Sequence, residues 1–307
     1  MNLRKTLFYG GVLASVFLMV SCEGNSEEGV IEKEQEKTVS KELLDPNRSF
    51  NTTFDEELFS VPSPIQTALL IKSLSMPYNE TLLNSEENAK EYTSTALQAV
   101  NLGVYGADLG YVTLYNQNSK SLSYLSIVEN IANELGISRA FDKTFIKRFE
   151  ENNTDQDSML VILSDAFRKT DNFLKNNDRK NVSALILTGG WIESLYFATN
   201  LYKESNDQQL LVRIGEQSQS LETIIELLEK YNGEGQNDQF ITSFKELKEL
   251  FDKIKTSYEY IEPETNEETK ITTIKSNTNI EISDDLSSKL IEKVAAVRNG
   301  IVNVTNQ

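Results

Sequence analysis

Apolar residues return every three or four positions along most of this chain, which is the period an α-helix needs to bury one face. Ser63-Pro64 reads as an N-cap followed by proline at the first helical position; it leads into IQTALLIKSL, which Met76-Pro77 stops. Ser85 opens a second segment, apolar from Ala89 through Leu97, Val100 and Val104 to Tyr115. Ser119 caps a third, with Leu122, Leu125, Val128, Ile131 and Leu135, and Gly136 ends it. A shorter helix, about 139–150, follows Ser138. Thr154 and Asp157 form a near capping box before Met159, Ile162, Leu163, Ala166, Phe167 and Phe173. Asn181, or the residues just before it, starts SALILTGGWIESLYFATNLY. Two more periodic segments run from Leu211 to Leu228, closed by Asn232-Gly233, and from Phe240 to Tyr258.

Only residues 269–283 (TKITTIKSNTNIEIS) break the pattern; rich in Thr and Ile around Asn277-Thr278-Asn279, they read as a small β-hairpin or as a long loop. Ser283 then caps a last helix, with Asp284 and Asp285 at the positive end of its dipole and Leu286, Leu290, Val294 and Val297 on its apolar face. Five prolines in 307 residues suit helices with short connections. The fold class expected is all-α, a bundle of eight or nine helices.

The first residues are of another kind. Arg4 and Lys5 precede an apolar run from Leu7 to Val20, and no acid occurs before Glu23. That run has the length of a signal-peptide core and is shorter than the ~20 residues that span a bilayer. Met19-Val20-Ser21-Cys22 follows, and a small residue directly before the only cysteine resembles a lipobox, in which the thiol is acylated and the chain is cut before it. The domains expected are a lipoprotein signal peptide at 1–21, an acidic tether at 22–53, a helical bundle at 54–262, a loop or hairpin at 263–282 and a C-terminal helix at 283–307. The tether is polar, with isolated apolar residues, and cannot bury enough surface to offset its ordering entropy.

Cleavage removes Arg4 and Lys5 and no acid, so the net charge of −17 becomes −19. Such a surface repels phosphate backbones and argues against nucleic-acid partners. The chain has no histidine, which excludes Ser-His-Asp and Cys-His catalysis and His-ligated metals. The sequence holds no phosphate-cradling glycine loop, and the acidic run at 152–157 lacks the glycine and closing glutamate of an EF-hand. No cofactor and no metal site are expected.

Shifted by 85 residues, ALQAVNLGVYGADLGYVTLY and VSALILTGGWIESLYFATNLY align Ala99 with Ala184, Leu102 with Leu187, Asp108 with Glu193 and Tyr111 with Tyr196. Each stretch lies between two other apolar helices, so two related three-helix units are expected. Gly103, Gly106, Gly110, Gly189 and Gly190 each cost about 1 kcal/mol relative to Ala in a helix, so either close helix contact or room for a ligand is gained. The candidate ligand cleft is Tyr105, Asp108, Tyr111, Trp191, Glu193 and Tyr196, with each acid one turn from a Tyr hydroxyl that can donate to it.

Two functions follow. One is a lipid-anchored binding or scaffolding module with a protein, glycan or small-molecule partner; the other is a carboxylate-dependent glycan hydrolase or lyase using Asp108 and Glu193 as acid and base. The acidic run from Cys22 to Glu28, with the Gly/Tyr-rich helices, resembles the all-helical outer-membrane lipoproteins of Bacteroidota. The resemblance implies an outer-membrane lipid anchor, facing the cell surface or the periplasm, and implies no activity.

Overall fold

The computed structural model describes residues 50–303, except 56, 62–63, 142, 153, 261–263, 267–270 and 274–275. Cys22, the signal segment and the tether up to residue 49 lie outside the described residues.

The molecule is built on helices, as the periodicity requires. Ten α-helices occur among the described residues: α1 (Pro64–Ser73), α2 (Thr95–Leu114), α3 (Asn118–Glu134), α4 (Lys143–Glu151), α5 (Gln156–Asn176), α6 (Lys180–Ser205), α7 (Gln208–Gly215), α8 (Gln217–Lys230), α9 (Asp238–Phe251) and α10 (Asp284–Val302). The strands are β1 (Phe50–Phe54), β2 (Glu57–Val61), β3 (Lys255–Tyr260), β4 (Glu264–Asn266), β5 (Ile271–Thr273) and β6 (Ser276–Glu281).

Several boundaries differ from the sequence reading, each for a local reason. Ser85 caps a 3-10 turn at Glu86–Glu91 rather than α2, which is capped by Ser94 through the Leu97 amide. Asp155, not Thr154, caps α5 by accepting from the Ser158 N–H. The segment from Leu211 to Leu228 is two helices, because the chain breaks at Gly215, where a Cβ would stand 2.5 Å from Ile280. α9 stops at Phe251, so Tyr258 is in a strand. The hairpin expected at 269–283 is the return limb of a longer ribbon: β6 pairs with β3, and β5 with β4, so Asn277–Asn279 are mid-strand rather than a turn.

At the other end of the described chain, β1 and β2 form an antiparallel hairpin. It begins four residues before Phe54, so residues 50–53, assigned to the tether, belong to β1. Phe54 is buried with Ala184 and Leu227, and the Lys175 ammonium stands 3.8 Å from its ring centre. Thr52 donates to Asp171 at 3.0 Å, and Tyr231 donates to Asp55 at 2.6 Å.

The core centres on α2 and α6. Every residue of α2 from Ala99 to Leu114 is buried, the pattern of a helix surrounded by others. The two helices approach so closely that a Cβ on Gly103 would lie 2.0 Å from the Ile186 carbonyl oxygen, and one on Gly189 would lie 1.7 Å from that of Val100. Close backbone contact therefore accounts for these two glycines. Gly106 instead makes room for the Phe167 ring, 2.3 Å from where its Cβ would be.

Contacts advance together along both helices, from Val104 with Gly189 to Tyr111 stacked on Phe197 at 4.8 Å. The pair is therefore parallel, and α3–α5 form the crossover that a parallel pair demands. The offset that aligns the two sequences is also the offset at which the two helices touch. α1 and α5 each pack against both central helices, while α3 lies on α2, and α7 and α8 lie on α6. In each half the central helix thus packs on the helix before it and on the helix after it, the latter broken in two in the second half.

Candidate functional site

Asp108 and Glu193 occupy matching levels of α2 and α6, and both are fully buried, at 0% exposure. The parallel packing carries them to one place. The partner that the sequence reading missed is Arg298, on α10. Its Nε donates to Glu193 Oε2 at 2.9 Å and its Nη2 to Oε1 at 2.8 Å, a bidentate pair. The same Nη2 reaches the Leu82 carbonyl at 3.4 Å, and the guanidinium sits 4.6 Å from the centre of the Tyr196 ring. One signal for this residue was present in the sequence. Arg298 is four positions after Val294, so it sits on the apolar face of its helix, where a charge requires a buried partner.

Glu193 thus has a donor on each oxygen, and Asp108 does not. Asp108 Oδ2 accepts a long bond, 3.3 Å, from the Asn84 backbone N–H, and its Oδ1 has no hydrogen-bond partner. Burial first, and the charge of Glu193 second, push its pKa well above the usual carboxylate range, and Arg298 offsets only part of this. For Arg298, burial opposes the charge, but Glu193 overcomes it and raises the pKa.

The tyrosines do not serve the carboxylates. The expectation that Tyr111 donates to Asp108 is not met: its hydroxyl accepts from the Asn79 N–H at 3.0 Å. Tyr105 donates to the Ser85 carbonyl at 2.6 Å, Tyr124 to that of Asn84 at 2.6 Å, and Tyr115 to that of Met76 at 2.6 Å. Together with Arg298 and Asp108 they fix the backbone of residues 76–85, which has too little α-helix to satisfy its own polar groups. This strap covers the two acids. Burial raises the Tyr92 pKa to about 12 and that of Tyr105 further, so both hydroxyls remain protonated donors at neutral pH.

Trp191 does not belong to this cluster. Two positions from Glu193 on a helix, it points about 200° away from it. Its indole N–H donates to Gln217 at 3.1 Å, and its ring packs near Phe244. It lines a separate cavity of about 10 Å³ with Thr67, Ser194, Leu195, Ala198, Arg213 and Gln217, room for about one water. Of the six residues proposed for one cleft, Asp108, Glu193 and Tyr196 come together around Arg298, with Tyr105 near Asp108; Tyr111 lies further along α2, and Trp191 faces away.

Chemically, the cluster is a charge pair with a second, poorly partnered carboxyl beside it, closed from solvent, whereas hydrolysis needs its carboxylates open to water and substrate. Among the described residues no group of three Asp, Glu, Cys or His side chains is arranged to hold a metal ion, and no helix is long and apolar enough to cross a membrane. Comparison with known proteins gives no matching family model, no matching curated protein and no matching solved structure.

Proposed function

We propose that this chain is a lipid-anchored envelope protein whose helical domain binds a protein or small-molecule partner at its surface, and that Asp108, Glu193 and Arg298 hold the fold rather than perform chemistry. The observation that carries the reading is the closure of the one acid pair the sequence offers for catalysis: both carboxylates are at 0% exposure, and Arg298 grips one of them with two bonds. An acid–base enzyme needs its carboxylates in contact with substrate and water. The anchor is supported by the lipobox-like Met19–Cys22 and the acidic stretch after it.

The test has two arms. Labelled palmitate should enter the full-length chain and be lost in Cys22→Ser. Affinity purification of the tagged chain from mildly solubilised host membranes should return a stoichiometric partner, retained by Asp108→Asn. A partnerless preparation that cleaves a glycan, with activity lost in Asp108→Asn while the helical circular dichroism is kept, would establish the hydrolase or lyase reading instead.

A further inference from the structure

The ribbon between α9 and α10 leaves its backbone with open edges. β3 and β6 pair only with each other among the described residues, so the outer edge of each presents N–H and C=O groups with no ladder partner. A two-stranded ribbon is marginal on its own, and three or more strands give a stable sheet. Lys255, Thr256 and Ser257 of β3 are all exposed.

The charges along β3 distinguish its edge from that of β6. β3 reads Lys-Thr-Ser-Tyr-Glu-Tyr, so it is neutral in a chain of net charge −17. Laid antiparallel against a copy of itself about Ser257, it sets Lys255 opposite Glu259 of the copy, and Thr256 opposite Tyr258 of the copy. Both match the pairs that stabilise antiparallel strands, opposite charges and β-branched with aromatic. The same operation on β6 joins no opposite charges, because Glu281 is its only charged residue. We propose that β3 is a self-association edge: two copies of this chain pair through it by a two-fold axis at Ser257, giving a four-stranded sheet in the order β6, β3, β3, β6. The contact is isologous, so it closes at two copies and does not propagate.

Ser257→Cys in the full-length chain reads this geometry directly. Residues directly opposite in an antiparallel pair lie about 4.5–5.5 Å apart at Cα, within the span of a disulfide. Mild oxidation in membranes should give a band of twice the chain mass, absent from the wild type, whose only cysteine is Cys22. Adding Lys255→Glu should abolish the band, and adding Glu259→Lys as well should restore it. The rescue separates the contact between copies from one within the ribbon. Within one chain, residue 255 faces Glu281 whereas residue 259 faces Asn277, so the second change does nothing for a clash at 281. The proposal is overturned if Ser257→Cys keeps the helical circular dichroism yet gives no dimer. It is equally overturned if Lys255→Glu leaves the dimer intact, if the charge swap fails to restore it, or if the introduced thiol is captured by a different protein.

Discussion

Asp108 and Glu193 hold corresponding positions on two similar helices, and their surroundings have made them different groups. Glu193 meets a bidentate guanidinium; Asp108 keeps one long hydrogen bond and an oxygen with no partner. One cation serves two acids, and Glu193 is the one it bonds. Similar sequence around two residues sets where they lie, whereas a third element, entering from elsewhere in the chain, sets which of them gains a counter-charge.

The most damaging way to break the contrast is Arg298→Met. It leaves Glu193 buried beside Asp108 without a counter-charge, and loss of one partner of a buried pair costs about 3–5 kcal/mol. Urea denaturation followed by circular dichroism should show that loss. Gly189→Ala tests the closeness that brings the acids together. Its Cβ would lie 1.7 Å from a backbone oxygen, so the helices must separate, at a cost of about 1–3 kcal/mol. Asp108→Asn should act in the opposite direction, stabilising the protein by about 1 kcal/mol at pH 7 by removing a poorly partnered buried acid.

The pH dependence sharpens that last case. The folded-state pKa of Asp108 is raised above its ordinary 3.8, so the folded chain retains a proton that the unfolded chain releases. Its contribution to stability is fully present below that value and declines as pH rises from there toward the raised pKa. Denaturation midpoints across this range should fall less steeply in Asp108→Asn than in the wild type. The smallest effect is expected away from the central pair, at Gly300 in α10. A Cβ there meets nothing within 4 Å, so Gly300→Ala should add about 0.5–1 kcal/mol.

The helical class was legible because burial of one face writes a period into the sequence, and Ser283 at the head of α10 and Gly136 behind α3 were legible as caps for equally local reasons. Helix ends set by tertiary contact were not. Nothing near Gly215 announces Ile280, and no local pattern separates Leu250-Phe251 from the strand that starts four residues later. In the candidate site, Asp108 and Glu193 stood out because acids on apolar helices are costly. Their meeting depends on the direction of two helices, and the separate environment of Trp191 follows from the helical turn between it and Glu193, which adjacency in sequence hides. Arg298 shows in the sequence as a charge on an apolar helix face, but its pairing with Glu193, 105 residues away, is beyond the reach of any local pattern.

Arg298 belongs to a helix that follows both acids in the chain, and this has a consequence for how the molecule is made. The central helices touch across an 85-residue separation, so closing that loop must precede most of the burial that rewards it. The cation that pairs with Glu193 is made later still, with α10. Until α10 docks, Glu193 lacks its counter-charge and the face of the central pair that α10 covers stays open. α10 thus acts as a keystone, the piece that locks an arch assembled before it arrives.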